Sequence, residues 1–246
     1  MRSYRYFTAV TAVFVTCLIV SNIIAVKLAY FGTVGPIHII EPYSLGGPLY
    51  LPAAVIIFPL SYIFGDILTE VYGYARARQV IWIGFGCNLL AVVAIWIGGL
   101  LPAAPFWNAA VYDSPAAVQQ AYDAILGFTP RLLLASFLAY LAGEFLNSFV
   151  LAKLKIATAG KRLWLRTITS TLAGQLVDSG IFLLIAFGGL FSGADLLRLI
   201  VTQWLFKSVY EALATPLTYL VVNFLKRAEN EDYYDRETNF SPVALK

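Results

Sequence analysis

The sequence is poor in charged residues and in the residues that usually build metal centres. Only 13% of its 246 residues are charged, and it contains one histidine and two cysteines. Soluble domains carry about 25% charged residues. One histidine cannot supply an HExxH zinc site, and no GxxxxGK[ST] phosphate loop occurs. These absences argue against an enzyme, so we expect no catalytic residue, no metal and no cofactor.

The chain is instead rich in apolar residues, which make up 60% of it. They occur in runs close to the ~20 residues that span a bilayer. We predict an all-α integral membrane protein with six transmembrane helices, at about 6–29, 49–71, 79–101, 131–152, 168–190 and 197–224. One transmembrane domain is expected over residues 1–225. The charged tail, 226–246, is predicted to be disordered.

The positions of the basic residues predict the orientation. In the six-span arrangement, 13 of the 17 basic residues fall on one side. The positive-inside rule therefore places both termini in the cytoplasm and the connection 102–130 outside. Within that connection, Ser114 and Pro115 predict the start of a short amphipathic helix.

A weak internal likeness concerns the overall architecture. The segment "SNIIAVKL" (21–28) closes the first span and "NSFVLAKL" (147–154) closes the fourth. Three spans in each half would give two inverted three-helix halves, as in many transporters. Such short likenesses between apolar helices also arise by chance, so both interpretations stay open.

Several polar side chains fall inside the predicted spans. Intramembrane ionisable groups usually face the bundle interior and mark a substrate or ion path. Glu144 and Asp178 lie near mid-membrane, and each shares a helical face with an amide three residues away, Asn147 and Gln175 respectively. Two such faces would form a polar pocket. The full set of predicted substrate-binding residues is Glu144, Asn147, Gln175, Asp178, Asn22, Asp66, Lys207 and Glu211.

Two of the charged pairs also have structural interpretations. Lys207 and Glu211 are four residues apart and could neutralise each other. In "FGDILTEVYGY" (64–74), we expect Asp66 to line the inner part of the path. Glu70, one turn further, is expected to hold the following turn through Arg76 or Arg78.

Three motifs carry a resemblance to a known family. The segments "GDILTEVYGYARAR" (65–78), "TPRLLLASFLAYLAGEFLN" (129–147) and "RTITSTLAGQLVDSGIF" (166–182) resemble the bacterial queuosine precursor transporters, also called the vitamin uptake transporter or YhhQ-type family. The resemblance implies six helices in the bacterial inner membrane. It also implies uptake of 7-deazaguanines such as 7-cyano-7-deazaguanine, which supply salvage of the tRNA modification queuosine.

The chemistry of such a base fits the residues. A 7-deazaguanine carries adjacent donors at N1 and N2, which one carboxylate, of Glu144 or Asp178, can accept together. Amides such as Asn147 and Gln175 can read the remaining edge. An aromatic face can stack on the base. The candidates for stacking are Tyr140, Phe145 and Trp204.

An alternative function follows from the same resemblance. The family is distantly similar to the substrate-binding subunits of energy-coupling-factor vitamin transporters, which need a separate ATPase module. The small residues Ala25 and Ala29 could admit a partner helix. The expected partners are a small deazapurine and the lipid bilayer, with a homodimer left open and no nucleic acid.

Overall fold

The computed structural model describes residues 4–40, 43–108, 111–127 and 130–244. Long helices form most of it, and a two-stranded hairpin joins the first two. The elements are α1 (Phe7–Ile24), β1 (Leu28–Ile40), β2 (Tyr43–Pro52), a 3-10 turn (Ala53–Ile56), α2 (Phe58–Tyr72), α3 (Tyr74–Leu100), α4 (Pro115–Leu126), α5 (Pro130–Ala157), α6 (Leu163–Phe187) and α7 (Gly193–Glu229).

The helices make this a multi-pass membrane protein. Among the described residues, five helical segments are long and apolar enough to cross a membrane: α1, the 3-10 turn with α2, α3, the segment ending with α5, and α6. Helix α7 is long enough at 37 residues but includes Asp195, Arg198, Lys207 and Glu211. The helical membrane domain is thus confirmed, and the count of six spans stays a prediction.

The second span begins later than the sequence predicted. Residues 49–52 belong to β2, which pairs antiparallel with β1 and aligns Pro52 with Leu28. Helix α2 begins only at Phe58, with Pro59 in its first turn. Proline lacks a backbone N–H and so suits a helix start, where that N–H would have no intrahelical partner. An apolar run alone could not place this boundary.

The short helix in the connection 102–130 is confirmed as α4. Ser114 is its N-cap, and the hydroxyl oxygen accepts a hydrogen bond from the Ala117 amide at 3.2 Å. Pro115 occupies the first helical turn. Further along α4, the Tyr122 hydroxyl donates to the Ile95 carbonyl of α3 at 2.9 Å. This contact attaches α4 to the end of α3.

The bundle carries apolar side chains outside and polar ones inside. Leu90, Trp96 and Leu213 are 69%, 64% and 77% exposed, while Glu70 and Glu144 are fully buried. Exposed apolar side chains suit contact with lipid, and the buried charges then face the interior.

Two glycines allow a close crossing of α5 and α6. A Cβ on Gly143 of α5 would lie 2.5 Å from the Tyr62 hydroxyl and 3.1 Å from the Gly174 carbonyl of α6. A Cβ on Gly174 would lie 2.8 Å from the Asn147 Cβ. Because the neighbouring residues Glu144 and Gln175 follow these glycines directly, the crossing brings the two predicted polar faces together.

The chain termini meet at one end of the bundle. The Tyr4 hydroxyl donates to Glu231 at 2.8 Å, and the Arg5 and Tyr6 amides donate to Glu229 at 3.0 and 2.6 Å. We call this the termini end and the opposite end, where β1 and β2 lie, the hairpin end. The two terminal segments therefore lie at the same end of the bundle, and the cytoplasmic location of this end stays a prediction. Arg2 and Lys246, which belong to that prediction, lie outside the described residues.

The tail differs from the disordered segment that the sequence predicted from residue 226. Helix α7 continues to Glu229, and the next fifteen residues, 230–244, are described. Asp235 is 2% exposed and accepts the Tyr74 amide at 3.0 Å. Arg78 donates to the carbonyls of Asn239 and Ser241 at 2.8 and 2.9 Å. Hydrogen bonds to backbone groups thus hold this polar tail against the bundle, and amino-acid composition does not reveal such bonds.

Candidate functional site

A cavity opens between six helices in the half of the bundle nearer the hairpin end. Its empty volume is about 890 Å³, a figure that includes solvent space at its open mouth. The wall combines apolar side chains, aromatic rings and a few polar groups. The polar and aromatic lining residues are Ser21, Asn22, Phe58, Asn88, Ser136, Tyr140, Asp178, Phe182, Gln203, Phe206 and Lys207. This combination is typical of sites that bind small molecules.

Two polar pairs fix the wall of the cavity. The Asn22 amide of α1 donates to the Asn88 side-chain oxygen of α3 at 2.9 Å. Lys207 of α7 donates to Asp178 Oδ2 of α6 at 2.7 Å, and its ammonium lies 4.5 Å from the centre of the Phe58 ring. Each pair joins two helices. The interpretation in which Lys207 and Glu211 neutralise each other, left open by the sequence, does not hold, because the lysine pairs across the bundle with Asp178.

Behind the cavity lie three buried carboxyl groups, Asp66, Glu144 and Glu211, which we call the acidic cluster. They are 1%, 0% and 3% exposed. Asn147 donates to Asp66 Oδ1 at 2.8 Å, and Thr171 donates to Glu211 Oε1. Among the described residues, neither oxygen of Glu144 receives a hydrogen bond. The cluster therefore has neutral donors and lacks cationic partners in the described structure.

Neutral polar groups surround this cluster. The Tyr62 hydroxyl and both amide atoms of Gln175 are buried and have no hydrogen-bond partner in the described chain. Buried polar groups are normally satisfied, and the exceptions often mark functional sites or bound water. These unsatisfied groups indicate that the region also binds water or another molecule.

Glu70 forms an ion network at the termini end, about one turn beyond Asp66. Glu70 Oε1 lies 2.7 Å from Arg166, 2.6 Å from Lys226 and 3.5 Å from Lys155. Asp232 of the tail joins the network, 2.6 Å from Lys155. The predicted partners Arg76 and Arg78 are wrong, because three cations from α5, α6 and α7 surround this carboxylate.

The three groups of residues follow one another along the bundle axis. The cavity lies toward the hairpin end, the acidic cluster lies behind it, and the Glu70 network closes the termini end. Glu70, Lys155 and Arg166 are at most 1% exposed, so the ion network fills the interior of the bundle at the termini end.

The eight predicted binding residues divide between two of these layers. Asn22, Asp178 and Lys207 line the cavity. The other five are buried behind its wall: Asp66, Glu144, Asn147, Gln175 and Glu211. The binding roles of all eight stay predictions.

Sequence reasoning missed several lining residues. Asn88 is the one amide in the apolar stretch 80–100 of α3, a signal that could have been noticed. Phe58, Phe182 and Phe206 carried no signal among so many aromatic residues. Of the stacking candidates, Tyr140 lines the cavity.

The other two stacking candidates lie elsewhere. The Phe145 ring packs against Trp82, with centroids 5.8 Å apart. The Trp204 indole donates to the Leu172 carbonyl at 2.9 Å. Neither Phe145 nor Trp204 lines the cavity, so their positions favour structural roles.

Comparison with known proteins gives two matches. Residues 52–221 match the model of a family described as "Putative vitamin uptake transporter". The chain is also 32% identical over 167 residues to the "Probable queuosine precursor transporter" of Bacillus subtilis, which covers 67% of this chain and 68% of that protein. No solved structure matches. The matched region contains α2, α3, α5 and α6, which supply most of the polar side chains described above.

Proposed function

This chain belongs to the vitamin uptake transporter family, and on that premise we propose that it takes up a 7-deazaguanine precursor of queuosine. The precursor, such as 7-cyano-7-deazaguanine, would cross the bacterial inner membrane and supply tRNA queuosine salvage. The family assignment supports a transporter, and the cavity supports the choice of a flat, polar substrate.

The observation that carries the proposal is the position of Asp178 in the cavity wall. Lys207 occupies its Oδ2, and no donor among the described residues contacts Oδ1. Phe58 and Phe182 line the same cavity. A base can thus present its N1 and N2 donors to a carboxylate while a ring covers its face.

Asp178 suits this role better than Glu144. The sequence makes both carboxylates candidates, but only Asp178 lines the cavity. Glu144 is fully buried, and its Oε2 would lie 2.9 Å from a Cβ at Gly65 of α2. We assign base recognition to Asp178, with Asn22, Asn88 and Gln203 available to the remaining edge.

The orientation of the cavity fits uptake. If both termini are cytoplasmic, as the basic residues predict, the hairpin end faces outward. The cavity then receives substrate from outside the cell, and the Glu70 network separates it from the cytoplasm. A transporter needs such a closed inner side while substrate enters from the outer side.

Binding to purified protein tests the proposal. We expect 7-cyano-7-deazaguanine to bind and adenine, which lacks the N1 donor and the N2 amine, not to compete. A site that pairs buried polar groups rejects an analogue that leaves those groups unpaired. Binding of a vitamin in preference to every deazapurine would contradict the assigned substrate.

Reconstitution then distinguishes a transporter from a binding subunit. Uptake of labelled precursor into vesicles that contain only this protein is expected. Binding without uptake, restored by an added ATPase module, would instead support the energy-coupling-factor alternative.

A further inference from the structure

Asp66 and Glu211 face each other inside the acidic cluster without a hydrogen-bond donor between them. Their carboxyl groups lie within hydrogen-bonding reach of each other. The outer oxygens are occupied, since Asn147 donates to Asp66 Oδ1 and Thr171 donates to Glu211 Oε1. The inner oxygens, Asp66 Oδ2 and Glu211 Oε2, receive no hydrogen bond from the described residues.

The neighbouring helices do not supply the missing charge. From α5 come the Glu144 carboxyl and Asn147, and from α6 come Thr171 and Gln175. From α2, Tyr62 and Glu70 face the cluster. The nearby cations are paired elsewhere. Lys207 pairs with Asp178. The partner of Arg166, Lys155 and Lys226 is Glu70.

Two ionised carboxylates in contact repel each other strongly when they are removed from water. A single proton between the two inner oxygens removes the repulsion and satisfies both oxygens, as in other carboxyl pairs that share a site. No other donor in the described structure reaches this position. The hydrogen bonding of the two inner oxygens is therefore complete when one proton is bound and incomplete when it is absent.

We propose that Asp66 and Glu211 hold one exchangeable proton and that inward movement of this proton drives uptake. The second half of this proposal rests on the proposed transport function. The proton binds from the outer side and leaves to the cytoplasm, so each cycle moves one proton inward with one neutral substrate. No covalent bond other than the O–H bonds forms or breaks.

The location of the pair suits a coupling site. The charged neighbours of the Tyr62 hydroxyl are Asp178 at the cavity and Glu144 and Glu211 in the cluster. This hydroxyl therefore lies between the proposed substrate carboxylate and the proton pair. On the other side, Glu70 and its cations separate the pair from the termini end. A change in α6 or α7 on substrate binding would reach Thr171 and Glu211 directly.

The first test measures accumulation in vesicles that contain the purified full-length protein in a uniform outward-cavity orientation. With the cavity side more acidic, one proton per substrate supports about tenfold accumulation of 7-cyano-7-deazaguanine per pH unit. Reversal of the gradient should abolish accumulation. Asp66→Asn and Glu211→Gln each place an amide N–H where the proton lies, so we expect the accumulation ratio to fall to about one whatever rate of entry remains.

Glu237→Gln is the matched control, because it removes a carboxylate from the exposed tail. It should keep the wild-type accumulation ratio. A wild-type ratio that does not respond to the gradient, or amide variants that retain the response, would overturn the coupling.

The second test detects the proton without substrate. Infrared spectra of the wild-type protein at neutral pH should contain a carbonyl band from a protonated carboxyl group that both amide variants lose. Because Glu144 stands beside the pair and responds to its charge, the spectra are compared in a Glu144→Gln background, where the parent-minus-variant difference isolates the pair. The Glu237→Gln difference should lack this band.

The two tests separate this proposal from the proposed function. If the band is absent from the difference spectra of both amide variants, the pair holds no proton and the proposal is overturned. If the wild-type protein binds no precursor, the proposed function fails and the coupling fails with it, while the infrared result still decides the proton site. If Asp66→Asn or Glu211→Gln unfolds, the other variant still decides the test, because each substitution alone removes the shared proton.

Discussion

Lys207 of α7 and Asp178 of α6 form an ion pair of 2.7 Å in the wall of the cavity. The pair joins two helices within the lining of the cavity. Their side chains are 17% and 7% exposed, so the pair is largely removed from solvent without being sealed from it. A substrate that hydrogen-bonds Asp178 therefore also changes the contact between α6 and α7.

The first prediction concerns this pair. Asp178→Asn keeps the shape of the side chain but presents an N–H to the donors of the base, so we expect binding of the precursor to be lost. The mismatch leaves buried donors unpaired at a cost of about 1–3 kcal/mol or more. Calorimetric titration of purified protein with 7-cyano-7-deazaguanine measures it.

Glu144→Gln is the matched comparison, since it changes a buried carboxyl that does not line the cavity. It should weaken binding less than Asp178→Asn. The opposite order would return base recognition to Glu144.

The second prediction concerns Glu70. Glu70→Gln leaves Arg166, Lys155 and Lys226 close together without their central anion. Breaking a buried ion pair by removal of one partner typically costs about 3–5 kcal/mol. We expect a lower yield of folded protein and a lower melting temperature in detergent, measured by fluorescence. Glu237→Gln, in the exposed part of the tail, should melt like the wild type, and equal melting of both variants would contradict a structural role for the network.

The third prediction concerns the tail. Asp232→Asn removes the contacts to Lys155 and Lys226, at 2.6 and 2.8 Å. We expect faster cleavage of the tail in limited proteolysis, with the helical bundle intact. An unchanged cleavage rate would mean that the backbone contacts of Asn239 and Ser241 to Arg78 hold the tail alone.

The same contact predicts the effect of pH on the tail. Burial favours the protonated form of Asp232, but the hydrogen bonds from Lys155 and Lys226 outweigh it and lower its pKa below the usual value. A lowered pKa in the folded state stabilises docking above the unfolded pKa of about 3.9. That contribution is lost as the pH falls through the folded value. Proteolysis should therefore be constant near neutral pH and increase only in strong acid, and a change near pH 7 would argue against this carboxylate.

The fourth prediction concerns topology. Reporter fusions at the C-terminus and within the 102–130 connection should report opposite sides of the membrane, with the C-terminus cytoplasmic. The contact between Tyr4 and Glu231 requires the N-terminus to lie on the same side as the C-terminus. Fusions that report the same side for the C-terminus and the connection would rule out the six-span arrangement.

The fifth prediction concerns the helix crossing at Gly143. In Gly143→Ala, the added Cβ meets the Tyr62 hydroxyl at 2.5 Å and the Asp178 Cβ at 2.9 Å. Overpacking of this kind costs about 1–3 kcal/mol, so the melting temperature should fall. Gly180→Ala on α6 is the control, because nothing lies within 4 Å of its added Cβ. Equal stability of the two variants would show that α5 and α6 can separate without cost.

The sequence by itself determined the membrane class, the family and the polar positions. Apolar runs of bilayer length require helices, because backbone groups in lipid must be hydrogen-bonded within their own segment. The three-residue spacing of Glu144 with Asn147 and of Gln175 with Asp178 fixed their shared faces before any tertiary contact was known. The motif around Ser114 likewise located α4, since its cap and proline act locally.

Only the tertiary structure decided which polar groups meet. Lys207 could pair with Glu211 on its own helix, but the crossing of α6 and α7 brings it to Asp178 instead. Glu70 lies near Arg76 and Arg78 in sequence, yet its partners come from three other helices. Pairing between helices depends on their packing and rotation, which one helix's sequence does not specify. The docked tail follows the same rule, because its backbone carbonyls bind Arg78 at a distance of about 160 residues along the chain.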